Sequence, residues 1–147
     1  MIKFQESNVI HRPVEVVFAF ATDPAKSRLW QTENVVAEKA LAADPPGKAR
    51  LVRTVKGMGS KIEVTLETVE FEPNRKIVTT VTAGRRYAHL SGRGVWRFDA
   101  VAEGTRVTFD WEVELAGLLK LAAPVLAPLA RRTLRRDLAG LKKVLEA

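Results

Sequence analysis

Residues 106–115, RVTFDWEVEL, alternate without a break. Val107, Phe109, Trp111, Val113 and Leu115 share one face, and Arg106, Thr108, Asp110, Glu112 and Glu114 the other. Strict period-two alternation of this kind predicts an antiparallel strand with one buried and one wet face. Weaker versions of the pattern run from residue 34 onward. VVAEKAL ends in the turn signal DPPGK, and ARLVRTV ends in the glycine-rich KGMGSK. IEVTLETVEF puts Ile62, Val64 and Leu66 on one face, then slips phase to Val69 and Phe71, which predicts a β-bulge near Thr68. KIVTTVT and YAHLSGRGVWRFDAV, separated by AGRR, complete a run of six strands with the segment ending at Leu115.

The N-terminal part reads differently. Ile2 to Ile10 is a further strand, with Ile2, Phe4 and Ile10 in phase. Pro13 suits the first turn of a helix, where a missing N–H costs nothing, and VEVVFAFAT supplies that helix. Asp23-Pro24 stops it, and PAKSRLWQ forms a second short helix carrying Trp30. At the other end Leu134, Leu138, Leu141 and Leu145 recur with the helical period, and Arg131, Arg135 and Lys142 are expected on the other side of the helix. Strands and a terminal helix that each have one apolar face are satisfied when the sheet packs on the helix. The expected fold is therefore α+β: a curved seven-stranded antiparallel sheet wrapped around a long C-terminal helix, with two short helices between strands 1 and 2. With 147 residues and no repeat or linker, the chain is expected to form a single domain over 1–147.

Composition narrows the function. There is no cysteine, which removes disulfides and thiol chemistry, and the N-terminus lacks a signal-peptide pattern. The most apolar window, Leu115 to Ala130, contains Lys120 and falls short of the roughly 20 residues that span a bilayer. A cytoplasmic location without a transmembrane helix is expected. The net charge of +7 favours acidic partners. Much of it sits on the last helix, where Arg131, Arg132, Arg135 and Arg136 are candidates for docking on an anionic membrane. Nucleic acid is disfavoured, because no aromatic residues interleave with those cations to stack on bases.

Three stretches carry a family resemblance. HRPVEVVFAFATDPAKSRLW, GRGVWRFDAVAEGTRVTFDWEVEL and the terminal LRRDLAGLKKVLE together resemble the START/Bet v 1-like helix-grip superfamily, in particular bacterial polyketide cyclase/dehydrase-like and lipid-transport-like (SRPBCC) proteins. That resemblance implies a cavity between sheet and C-terminal helix. It specifies fold rather than function, since this superfold hosts binders, carriers and enzymes.

Candidate cavity residues follow from phase. Leu90, Gly92, Gly94, Trp96, Phe109 and Trp111 share the inner face of the last hairpin, and Arg53 shares phase with Leu51 and Val55. The two glycines either bend the sheet or leave room for a ligand. Trp30 ends the second short helix. Leu121 and Val125 belong to residues 118–130, apolar on most sides and interrupted by Pro124 and Pro128, where a kinked lid or buried packing is expected. Glu6 and Asn8, in phase with Phe4, are candidates for orienting the polar end of a ligand. His89 falls out of phase with Leu90 and has no orienting partner in view, and two distant histidines make no metal site. GxSxG, HExxH and Walker-type signatures are missing, and Asp110, Glu112 and Glu114 sit on a wet face. No metal or cofactor is expected. The leading expectation is a binder or carrier of an apolar small molecule such as a lipid, isoprenoid or polycyclic aromatic. The alternatives are a cyclase/dehydratase-type enzyme, which could work by shaping a substrate around one acid or base, and a basic interaction module for anionic membrane or RNA.

Overall fold

A computed structural model describes residues 2–31, 35–42, 49–57, 60–85 and 88–147. Strand β1 (Ile2–Ile10) leads into helix α1 (Val14–Thr22) and a 3-10 turn (Pro24–Leu29). Strands β2 (Val35–Ala42), β3 (Arg50–Gly57), β4 (Ser60–Glu72), β5 (Lys76–Arg85), β6 (Ala88–Val101) and β7 (Gly104–Gly117) follow. A second 3-10 turn (Leu118–Ala122) then opens the long helix α2 (Ala123–Glu146). All the strands join one antiparallel sheet in the order β1-β7-β6-β5-β4-β3-β2, so β1 is inserted beside the last strand while the others form a meander. The turn residues expected at DPPGK, and Met58, Gly59 and Tyr87, lie outside the described residues.

Local chemistry explains the element ends. Pro13 caps α1 in an extended conformation, and its carbonyl accepts from the N–H groups of Val16 and Val17 at 3.1 Å. Asp23 closes the helix, and its carboxylate accepts from the Ala25 N–H at 2.9 Å, which starts the 3-10 turn. Gly104 turns β6 into β7 with φ +144°, and a Cβ there would lie 2.2 Å from the Ile10 carbonyl oxygen. Only glycine fits this close crossing. The bulge expected near Thr68 is present: the β4–β5 register shifts between Thr68 and Glu70, which moves Phe71 back toward the core.

The core lies between α1, one end of the sheet and the C-terminal half of α2. Leu134, Leu138, Leu141 and Leu145 form the buried stripe of α2 and meet Phe4, Ile10, Val17, Phe18, Phe98 and Val107. Polar contacts fix the helix along β1. Asn8 Nδ2 donates to the Leu138 carbonyl at 3.0 Å, and Arg135 Nε donates to Glu6 Oε1 at 2.8 Å. Lys142 Nζ reaches the Val9 carbonyl and lies 2.9 Å from Glu146. Glu146 also accepts from the His11 N–H at 3.0 Å, and this bond, followed by Lys142, holds its carboxyl below the ordinary value. Arg131, Arg135 and Lys142 therefore tie α2 to β1; they do not make up its outward cationic face, which belongs to Arg132, Arg136 and Lys143.

The apolar segment 118–130, which includes the start of α2, departs from the buried-packing reading. The 3-10 turn leads into α2 without interruption, and Pro124 sits in the first helical turn, where it needs no N–H partner. Pro128 lies inside the helix. The segment is not buried under α1: Leu118, Leu121, Val125 and Leu129 all face solvent.

Candidate functional site

Period two in the strands and period 3.6 in α2 bring two lined surfaces face to face. From the sheet come Leu51 and Arg53 of β3, Val64, Leu66 and Thr68 of β4, Thr79 and Val81 of β5, Leu90, Gly94 and Trp96 of β6, and Phe109, Trp111, Val113 and Leu115 of β7. From α2 come Leu126, Ala127, Leu129, Ala130, Thr133, Leu134 and Asp137. They line an open-mouthed cavity of about 530 Å³, within the range of about 300–1,000 Å³ typical of small-molecule sites.

One wall is aromatic. Trp111 stacks on Phe109 with ring centroids 5.7 Å apart and planes 25° apart, and Phe109 leans on Trp96 at 4.3 Å. Trp30 meets Trp96 edge-on at 5.8 Å but is 6% exposed and does not line the cavity. It belongs to the core and buttresses Trp96 from there. The space over the β6 glycines beside this wall is occupied. A Cβ on Gly94 would fall 2.8 Å from Phe109 Cζ and 3.1 Å from Trp111 Cε3. One on Gly92 would fall 2.8 Å from the Glu112 carbonyl oxygen and 3.4 Å from Trp111 Cη2. Gly94 lines the cavity and Gly92 does not; at both, the missing side chain admits a neighbouring ring or backbone rather than a ligand.

The cavity has one strongly polar corner. Arg53 Nη2 donates to Gln31 Oε1 at 3.2 Å, and both residues line the cavity together with Asp137 and Thr133. Burial pushes the Asp137 carboxyl up to about 7 from an ordinary 3.8, against the pull of Arg53 on β3 and Arg136 on its own helix. A carboxyl that titrates near neutral pH on the lining of an apolar cavity, within the electrostatic reach of Arg53, can hold or release a proton or bind a ligand oxygen.

The sequence-level candidates divide accordingly. Arg53, Leu90, Gly94, Trp96, Phe109 and Trp111 come together on the lining. Leu121 and Val125 do not. The helical phase that turns Leu126 and Ala130 inward turns Val125 out, and Leu121 points to solvent from the 3-10 turn. Glu6 and Asn8 are on the inner face of β1, as their phase requires, but α2 covers them. Glu6 pairs with Arg135 and, at 3.6 Å, with Arg131, while Asn8 bonds the helix backbone, so neither addresses the cavity. His89 is exposed on the opposite face. Asp137 and Gln31 were missed. The available signal was Asp137 lying four residues after Thr133, both flanking the leucine stripe of α2.

The outer sheet face holds a second hollow of about 500 Å³, bordered by Lys3, Lys76, Arg93, Arg97, Asp110 and Glu112. Its charges are mutually paired: Lys3 with Glu112, Arg97 with Asp110, and Lys76 and Arg93 with Glu70. That is a solvated ladder of ion pairs rather than a ligand site. Among the described residues no group of three His, Asp or Glu side chains is placed to hold a metal.

An antiparallel sheet facing one long C-terminal helix across an apolar cavity defines the class of this α+β protein. Residues 1–146 match the family described as polyketide cyclase / dehydrase and lipid transport, and the chain belongs to that family. No curated protein matches it in sequence. Its fold is similar to a conserved protein from Geobacillus kaustophilus (TM-score 0.81, 14% identity, 99% of this chain and 95% of that one). It is also similar to a protein from Thermus thermophilus (TM-score 0.76, 21% identity, 97% and 96%). A further similarity is to the di-domain ARO/CYC protein BexL of the BE-7585A biosynthetic pathway (TM-score 0.72, 21% identity), where this chain covers 50% of that one.

Proposed function

We infer that this protein, as a single helix-grip domain, binds and carries an apolar small molecule between its sheet and C-terminal helix. The observation that carries this reading is the cavity itself: apolar and aromatic over most of its lining, with polar groups gathered at Arg53, Gln31 and Asp137. Such a site suits a ligand with a flat or aliphatic body and one oxygen-bearing end. The stacked pair Phe109–Trp111 favours a ring system over a plain chain. Membership of a family described by polyketide cyclisation and lipid transport is consistent with this class of ligand.

A second reading, an enzyme of the cyclase/dehydratase type, draws on Asp137. A carboxyl with its pKa near 7 is matched to proton transfer at neutral pH. The two readings share a ligand class and differ in whether Asp137 is needed for turnover or only for recognition.

Native mass spectrometry of the purified protein tests the first: a retained apolar molecule of drug or lipid size is expected. Naphthalene and 2-naphthol serve as defined probes. Ala130→Trp, which fills the cavity from α2, should lower affinity for both at least ten-fold. Equal binding of both probes by the folded variant would place the ligand elsewhere. Asp137→Asn should reduce only the preference for 2-naphthol.

A further inference from the structure

Helix α2 has two apolar faces at its N-terminal end and one at its C-terminal end. Leu126, Ala127 and Ala130 face the cavity. On the other side Leu118, Leu121, Val125 and Leu129 are 66%, 81%, 59% and 44% exposed. These four succeed one another at steps of three and four residues, so they form one stripe along the 3-10 turn and the start of α2. Clustered exposed aliphatic side chains of this kind mark an interaction surface.

Charge selects the partner. The same stripe continues at helical spacing through Arg132, Arg136 and Lys143, all exposed. From Ala116 to Arg136 the chain has no acidic residue and carries Lys120, Arg131, Arg132, Arg135 and Arg136. A second copy of this chain would bring a like-charged rim against the stripe, which opposes self-association. A surface that is negatively charged and apolar just beneath satisfies both halves at once. No helix among the described residues is long and apolar enough to cross a membrane, so an element of this kind would lie on such a surface rather than span it.

We propose that the exposed stripe Leu118–Leu121–Val125–Leu129, with Lys120 and Arg132 beside it, docks this protein on an anionic lipid bilayer. The aliphatic side chains enter the headgroup boundary, and the cations contact lipid phosphates. Leu129 belongs to both the stripe and the cavity lining, so the docked edge of α2 is also an edge of the cavity. Docking there would present the cavity to the membrane that supplies or accepts an apolar cargo.

Flotation of the full chain with vesicles of phosphatidylcholine alone, or with about 30% phosphatidylglycerol, tests this across a salt series. Binding to the anionic vesicles, weakening with salt, is expected. Lys120→Glu/Arg132→Glu should weaken it at least about 30-fold at low salt, since each basic residue near an anionic surface contributes about five-fold. Leu121→Glu/Val125→Glu should remove the part that salt does not screen. All four positions lie outside the cavity lining, so both variants should keep the wild-type melting temperature and naphthalene affinity. The proposal is overturned if wild-type protein ignores anionic vesicles at low salt, or if Leu121→Glu/Val125→Glu floats like wild type. It is equally overturned if light scattering shows a dimer that Val125→Glu dissociates, or if the protein retains RNA and not vesicles; these outcomes assign the stripe to self-association or to nucleic acid.

Discussion

Replacing Asp137 by asparagine tests the polar corner of the cavity through stability alone, without knowledge of the ligand. Burial raises the Asp137 carboxyl from 3.8 to about 7 in the folded chain. The folded state therefore holds a proton that the unfolded state has lost between those pH values. Unfolding releases it, so stability falls as pH rises from about 4 to about 7 and is level above that. The interval from 3.8 to about 7, at about 1.4 kcal/mol per pH unit, amounts to about 4 kcal/mol, of which about 3 lies above pH 5. The asparagine side chain has nearly the shape of the neutral acid and no charge to desolvate. Urea titrations of wild type and D137N at about pH 5 and about pH 8.5 should show the variant gaining on wild type by about 3 kcal/mol between the two conditions. Groups that shift the other way, such as Glu146 with its depressed pKa, act in both proteins and cancel in the difference. A wild-type-to-variant difference that stays constant within about 0.5 kcal/mol across this range would mean that Asp137 is solvated or fully neutralised by Arg53. The polar corner would then lose its proton-holding role.

Other expectations concern the aromatic wall and the strand glycines. Trp111→Ala should destabilise by about 2–4 kcal/mol, since its ring packs on Phe109 and Gly94 yet borders the cavity rather than being wholly enclosed; a loss under about 1 kcal/mol in urea denaturation would place the ring in solvent. Gly92→Ala should cost about 1–3 kcal/mol, because the added methyl meets the Glu112 carbonyl, a backbone atom that cannot step aside; a urea midpoint equal to that of wild type would show that the strands separate freely there. Gly94→Ala presses on Phe109 and Trp111, so its effect should appear in the near-ultraviolet circular dichroism of the aromatic wall as well as in stability; an unchanged spectrum would show that the rings do not cover Gly94.

The sequence by itself determined the strands and the C-terminal helix, and the inward face of the last hairpin; it also put Val69 on an apolar face, where the structure leaves it exposed at the bulge. Alternation in RVTFDWEVEL and the leucine repeat of α2 are consequences of burial acting locally, and a one-residue slip would turn a whole face to water. The bulge at Thr68 was legible for the same reason: the apolar phase itself breaks there. Six of the cavity candidates were legible because a residue's face is a local property. What lies opposite that face is decided by tertiary structure. Glu6 and Asn8 have the inward phase of Phe4, but α2 arrives over them: Arg135 takes the Glu6 carboxylate and the Leu138 carbonyl takes the Asn8 amide N–H, which leaves Asn8 Oδ1 buried without a hydrogen-bond partner among the described residues. Gly92 and Gly94 fitted either a bend in the sheet or room for a ligand; the neighbouring strand fills the space beside them, with the Glu112 carbonyl at Gly92 and the rings of Phe109 and Trp111 at Gly94. The apolar segment 118–130 satisfied two readings at the level of composition, buried or lid-like. The crossing of α2 over the sheet instead turned one side of it to the cavity and the other to solvent. Asp137 stayed hidden longest. An acid next to arginines in a basic helix reads as surface charge, and its raised pKa exists only because folding removes water from that side of α2 by more than Arg53 and Arg136 can compensate.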